Sequence, residues 1–325
     1  MALISPVAAP ADLEAALRLD FRSDTITQPT PAMREAMRNA EVGDDVFGED
    51  PSINALEAEA ARLFDKEAAV FVASGTQGNL LALLSLTRPG DELIAEASSH
   101  IANSEVGGAA RLGGLTLRPL VGKHGKLSPD QVAATVRPDN VHFARTTLLA
   151  VENTHNAAVA LGVRPSELAQ NADTLTFCLS KGLSAPVGSV LVGPASVIGE
   201  ARRYRKMVGG GMRQAGVLAA AGLIALRDGV ARLADDHRRA RKLAEGLARI
   251  PGVQIDLATV QTNIVRFDVS GLGHTTSSFA EALRQHGVRV SGGSGRGGVR
   301  MVAHRHIDDA SVEEALAAVV AELRS

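Results

Sequence analysis

Lys181 is the residue from which chemistry can start. It follows an apolar run, Leu175 to Leu179, and is flanked by Ser180 and Gly182. A lysine at the end of a buried strand sits where its charge is costly to keep, and an amine that gives up its proton readily can form a Schiff base with an aldehyde. The ordinary alternative is a lysine whose apolar stem lies along the surface with its ammonium in water. A second feature bears on the choice. Ser74-Gly75-Thr76 stands between a strand-like run, Ala68 to Ala73, and a helical one, Leu80 to Thr87. A helix N-terminus offers unpaired N–H groups and a positive dipole end, which together bind phosphate. Gly75 permits close backbone approach and Thr76 adds a hydroxyl. Most such turns bind nothing, and no Gly-Lys-Ser/Thr follows, so this is not a Walker motif.

Other candidates are weaker alone. His100, ending Ser98-Ser99-His100, could stack on a planar heteroaromatic ring, and His142 and His155 stand near further strand ends. Arg300 lies in Gly298-Val299-Arg300-Met301 and could clamp a carboxylate through two parallel hydrogen bonds. In isolation each is more ordinarily a surface residue. Cys178 is the single cysteine, so no internal disulfide exists; inside its apolar run it reads as a small buried hydrophobe rather than a nucleophile.

These residues need elements to position them. Short β-rich runs alternate with helical patterns, the signature of an α/β fold with a mainly parallel sheet. Strands are expected at Ala68 to Ala73, Asp91 to Ala95, Leu115 to Leu120, Thr147 to Val151, Leu175 to Leu179 and Gly188 to Val192. A long helical stretch then runs from Val217 to Ile250. Beyond Pro251-Gly252 come strands Val253 to Leu257 and Asn263 to Val269, a helix Ser277 to His286, strands Val288 to Ser291 and Val299 to Val302, and a terminal helix near Ser311 to Leu323. That second group makes a small α+β domain. The expected division is an N-terminal extension over 1–18, a large domain over 19–228 and a small one over 229–325.

Composition narrows the function classes. With 325 residues, 45% hydrophobic and 22% charged, and a mean hydropathy of +0.07, the chain reads as an ordinary soluble globule. A formal net charge of -2 gives no pull toward nucleic acid or anionic membrane. The absence of Trp, with Tyr204 the only tyrosine, disfavours a base-stacking platform. Met1 to Pro10 lacks a basic region followed by a long apolar one, so no signal peptide is expected, and Val217 to Leu226 is too short to span a bilayer. The expectation is a cytoplasmic protein. No ligand cluster suggests a metal.

Several motifs taken in order carry a resemblance. Leu19-Asp20-Phe21-Arg22-Ser23-Asp24-Thr25, Val42-Gly43-Asp44-Asp45-Val46-Phe47-Gly48-Glu49-Asp50-Pro51 and Ser74-Gly75-Thr76-Gln77-Gly78-Asn79 look like the opening motifs of low-specificity L-threonine aldolases. So do Val141-His142-Phe143-Ala144-Arg145, Glu152-Asn153-Thr154-His155-Asn156, Cys178-Leu179-Ser180-Lys181-Gly182 and the stretch Arg205 to Gln214. The resemblance runs from about Leu19 to the C-terminus. It implies a fold-type-I pyridoxal-phosphate enzyme: a carbon–carbon lyase that splits L-threonine or L-allo-threonine into glycine and acetaldehyde. It also implies a homotetramer built from dimers with shared sites. Lys181 would hold the cofactor as a Schiff base, Gly75 and Thr76 its phosphate, and His100 would stack on its ring. Ser23 and Arg300 would take the substrate carboxylate. His142 would lie near the substrate hydroxyl, with Lys206 and Arg213 lining the site. The base that removes the hydroxyl proton is left open among His142, His100 and a water. Two rivals stand beside this reading: another fold-type-I lyase or transaminase, and a catalytically silent relative.

One departure is large. In that family the Glu-Asn-Thr-His-Asn strand end leads to a helix and then a strand ending in His-x-Asp-Gly-Ala-Arg, whereas here Asn156 runs straight into Ala157-Ala158-Val159-Ala160. Roughly thirty residues are missing, the size of one supersecondary unit, and with them the aspartate that would face the pyridine nitrogen. Loss of an internal strand would leave its neighbours' backbone groups unpaired. That cost favours a natural chain that carries the segment over a true deletion. An intact mass of 33.8 kDa against about three kilodaltons more separates the two. Phe47, where many relatives have tyrosine, and Ile101-Ala102 after His100 are smaller departures.

Overall fold

The computed structural model describes residues 17–152, 164–292 and 298–322. His155, the Asn156–Ala157 junction and most of the N-terminal extension lie outside them. The chain divides into two compact units, Pro29–Val230 and Met1–Gln28 together with Ala231–Ser325. Leu19 to Gln28, read from sequence as the opening of the large domain, therefore groups with the C-terminal segment. The reason is packing: Phe21 is fully buried in that segment's core, and its carbonyl accepts the Val302 N–H at 2.8 Å.

In the large unit the elements are α1 (Pro31–Arg38), α2 (Pro51–Leu63), β1 (Ala68–Val72), α3 (Gly75–Leu86), β2 (Glu92–Glu96), the short α4 (His100–Asn103), β3 (Thr116–Leu120), β4 (Thr146–Ala150), β5 (Leu175–Cys178), β6 (Ser189–Gly193), α5 (Ala195–Met207) and α6 (Gly216–Ile224). Local chemistry starts the helices. Asp50 accepts the Ile53 N–H at 3.0 Å ahead of Pro51, and Ser74 accepts the Gln77 N–H at 3.1 Å. The Ser74 cap makes Gly75 to Asn79, expected as a loop, the opening turns of α3.

The strands form two three-stranded sheets, β1-β6-β5 and β3-β2-β4. β2 runs parallel to both neighbours, while β6 runs antiparallel to both of its own. The expected parallel pairing is present in β3-β2-β4, whereas in β1-β6-β5 both pairings are antiparallel through β6. β2 and β6 are central and apolar, with Leu93, Ile94, Ala95, Val190, Leu191 and Val192 all buried. β4 and β5 are consecutive described strands on either side of Asn156, and each pairs on one side only among the described residues. A strand missing from between them would leave this pattern, two edges with unused N–H and C=O groups.

The small unit holds α7 (Val230–Leu247, from Ala231 onward), β7 (Ile264–Phe267), α8 (Thr276–Gln285), β8 (Ser291–Gly292), β9 (Val299–Val302) and α9 (Asp309–Glu322), with an antiparallel sheet in the order β7-β9-β8. α6 continues into α7 through a wider, π-helical turn at Ala225–Gly229. The strand expected at Val253 to Leu257 is absent; only Gln254 bridges Asp268, and Leu257–Thr259 is a 3-10 turn. The alternation of Val253, Ile255 and Leu257 places these side chains against the core without a ladder.

Two histidines tie the N-terminal segment of this unit to its end. His304 is fully buried with Nε2 2.8 Å from the Asp20 carbonyl, and His306 Nε2 accepts the Gln28 N–H at 3.1 Å. Burial, then the neighbouring His304, Arg305 and Arg232, push His306 down to about 4. Its folded pKa lies below the ordinary 6.5, so the unfolded chain binds more protons between those values and acid favours unfolding. Stability is full above 6.5 and falls as the pH drops toward 4. Thermal melting across that window should show the decline, and His306→Gln should flatten it. In the large unit, hydrogen exchange should run faster for the outward amides of β4 and β5 than for β2 and β6.

Candidate active site

The start of α3 and the end of β5 meet at Gly75. A Cβ there would lie 2.9 Å from Cys178 Sγ and 3.7 Å from Ser189 Oγ, so only glycine lets the helix come this close. Gly78, one turn on, stands against Thr176 in the same way: its Cβ would be 2.5 Å from Thr176 Cγ2. The first turn of a helix cannot use its own N–H groups. Gln77 N–H is capped by Ser74, while those of Gly75 and Thr76 lie in the same first turn and have no acceptor within the helix. The Ser189 hydroxyl beside them is buried without a partner among the described residues. Lys181 stands three residues beyond Cys178 and is half-buried. Its carbonyl accepts the Ser184 N–H at 2.8 Å in a turn closed by Ser184 at φ 66, a left-handed conformation that disfavours a non-glycine residue by about 1–2 kcal/mol. This arrangement suits an anion at the glycine turn and an aldehyde at the amine.

His100 opens α4 just beyond β2. Its N–H is accepted by Glu152, which follows β4. Parallel strands place their C-terminal ends at one edge of the sheet, where α/β folds bind ligands, and His100 and Glu152 mark that edge. His100 Nδ1 also lies 2.8 Å from Glu105 Oε1. His142 is elsewhere. It is exposed, its N–H donates to Asn140 Oδ1 at 3.0 Å, and it precedes the first residue of β4. At about 3.3 Å per residue the five residues of β4 set it about 15 Å from the edge marked by His100. Within one chain the two histidines are not brought together; nearness to a strand end did not say which end.

The glycine-rich stretch after α5 also reaches α3. A Cβ on Gly210 would be 2.1 Å from Gln77 Nε2, and Gln77 Oε1 accepts the Ala73 N–H at 2.9 Å. Lys206 and Arg213 are both exposed; Arg213 lies 3.3 Å from Asp44, and its carbonyl accepts the Asp45 N–H at 2.8 Å. Between them in role is a pair that sequence reasoning did not single out. Arg205 is buried and joins Asp45 at 2.6 Å and the Phe71 carbonyl at 2.8 Å. Nothing in a basic run marks which arginine turns inward; Glu105 likewise carries no spacing signal, and Glu152 and Asn79, although inside motifs of the resemblance, take no role from them.

In the small unit, Ser23 and Arg300 flank one backbone group. Arg300, on β9, donates to the Arg22 carbonyl at 3.1 Å, and Ser291 donates to the same oxygen at 2.9 Å. Ser23 follows directly and accepts the Thr25 N–H at 3.2 Å. Arg22 itself is held by Asp20 at 2.6 Å. Arg300 keeps a buried Nε without a partner among the described residues.

The Asp45–Arg205 pair is the most enclosed ion pair around the glycine-rich stretch, its side chains 2% and 5% exposed. Asp45→Ala leaves a buried guanidinium without its counter-charge and should destabilise the fold by about 3–5 kcal/mol in urea unfolding.

The chain is 42% identical to the low specificity L-threonine aldolase of Escherichia coli K12, over 94% of this chain and 98% of that protein. It is 40% identical to a probable low-specificity L-threonine aldolase 2 of Arabidopsis thaliana, over 92% and 95%. The E. coli alignment has 340 positions, yet 94% of 325 residues is about 306, so about 34 positions face no residue of this chain. A putative L-allo-threonine aldolase structure from Listeria monocytogenes EGD-E shares the fold, with a TM-score of 0.73 at 16% identity over 95% of this chain and 98% of that one. The sequence model of the beta-eliminating lyases matches residues 20–158 and 155–270, two stretches that meet where the motif order breaks. The chain belongs to the beta-eliminating lyase family.

Proposed function

We propose that this protein is a threonine aldolase, cleaving L-threonine and L-allo-threonine to glycine and acetaldehyde with pyridoxal phosphate, the cofactor of its family. The observation that carries the reading is the approach of Gly75 to Cys178, which sets an anion-binding helix start beside the strand end that leads to Lys181. Gly75 and Thr76 would hold the phosphate, with Arg213 adding positive charge, and the Lys181 amine would hold the aldehyde carbon. His100 would cover the ring. Ser23 and Arg300 would grip the substrate carboxylate, and Lys206 would line the mouth. When bound, the cofactor supplies the electron sink for the broken Cα–Cβ bond.

The protein's own part is to orient that bond and move protons. The β-hydroxyl proton leaves to a base as acetaldehyde departs, and Cα then takes a proton to give glycine. His100 stands at the ligand-binding edge of the sheet and is the base we assign. His142 lies at the other end of β4 and would reach a site only from a second copy, in keeping with a dimer of dimers with shared sites. A single cysteine fits a reducing compartment, and we assign the protein to the cytoplasm.

Purified protein given pyridoxal phosphate should turn yellow and release acetaldehyde from L-threonine, read by coupling to NADH oxidation. Lys181→Ala should lose the colour and at least about a thousandfold in rate. Keto-acid production without acetaldehyde would instead assign a lyase or transaminase of another kind, and a protein that stays colourless would assign a silent relative. Grafting the stretch of the E. coli relative into the position after Asn156 should raise both melting temperature and kcat.

A further inference from the structure

We infer that Glu105 is a positioning residue that holds the His100 ring in one tautomer and one orientation. The inference rests on the reading of His100 as the group over the cofactor ring, and it concerns a carboxylate to which neither the motifs nor the relatives' names give a role. Glu105 Oε1 lies 2.8 Å from His100 Nδ1 and accepts the Asn79 side-chain amide at 2.7 Å. The carboxylate side chain is 5% exposed, whereas His100 is 47% exposed. A buried carboxylate thus reaches out to an imidazole at the surface of the opening.

The chemistry follows from what each atom can do. A carboxylate oxygen that already accepts the Asn79 amide can only accept from the ring, so a neutral His100 must carry its hydrogen on Nδ1. Its Nε2 is then left with a free lone pair, the form able to take a proton. Asn79 belongs to α3, the helix whose first turn makes the anion cradle. Glu105 therefore connects the orientation of His100 to the helix that would hold the phosphate. The backbone gives a second sign. Val106 has φ 53 and Gly107 φ 69, two left-handed residues in succession, and a β-branched residue there is strained. Val106 is wholly exposed, so no packing of its own side chain explains the strain. The turn instead fixes the chain immediately after Glu105, whose carbonyl accepts the Gly108 N–H at 2.9 Å.

The test reads the ring directly. Nitrogen-15 spectra of the histidine side chains are taken at alkaline pH without cofactor, the His100 signals being identified by their loss in His100→Gln. Expected is a single neutral tautomer with hydrogen on Nδ1, which becomes a mixture in Glu105→Gln. With cofactor, kcat of that variant should fall at least about tenfold with KM little changed, and its pH profile should shift. A wild-type His100 carrying its hydrogen on Nε2 would overturn the inference, as would a Glu105→Gln variant with unaltered tautomer and kcat. If that variant fails to fold, the wild-type spectrum still decides. Absence of threonine cleavage by the wild type sinks the aldolase reading but leaves the spectrum to stand or fall by itself.

Discussion

The closeness of α3 to β5 is the constraint on which the rest of the large unit depends. Anion binding at a helix start works only if the backbone N–H groups reach the ligand, and the ligand must also reach the amine beyond the strand. Gly75 and Gly78 lie one turn apart on the face of α3 that rests on β5, against Cys178 and Thr176. A methyl group at either position would push the helix off the strand. A shift of about 1 Å at a reacting centre is enough to cost two orders of magnitude in rate. The helix start and the strand end are therefore held at their spacing by two side chains that are absent.

Beneath this contact the large unit keeps its buried charges satisfied. Glu57 accepts the Phe71 N–H at 2.8 Å and pairs with Arg202, while burial raises its pKa against the pull of that arginine. Asp50 caps α2 and also accepts the Gly216 N–H at 2.9 Å. Arg205 binds both Asp45 and the Phe71 carbonyl. These contacts join α2, β1, α5 and α6 into one support under the Ser74–Thr76 turn. A buried ion pair contributes modestly to net stability, but its partners cannot be separated cheaply, so the support has one arrangement.

The two sheets of this unit end where the motif order breaks. Each is complete in its middle, at β6 and β2, and open where the other would continue, at β5 and β4. His100 and Glu152 still meet across β2 and β4. Gly75 and Cys178, three residues before Lys181, still meet across α3 and β5 in the other sheet. The proposed phosphate and amine ends of the site thus belong to one half, and the histidine proposed to stack, with its carboxylates, to the other. α3 spans them, giving Gly75 to the first and Asn79 to the second.

Much of this was legible in the residues themselves. Strand identities followed from apolar runs such as Ala68 to Val72, because burial on both faces selects branched and aromatic side chains whatever their partners. The family followed from motif order, and the break after Asn156 was visible as a motif out of place. Tertiary structure alone decided the rest. It placed Leu19 to Gln28 in the small unit, sent His142 to the far end of β4, dissolved the expected strand at Val253 to Leu257, and chose Arg205, Glu105 and Glu152 as the charged groups that matter. The physical reason is common to all four. A sequence pattern records whether a side chain is to be buried and in what local shape, but partners, strand direction and the end of a sheet at which a loop emerges are set by contacts between residues far apart in the chain.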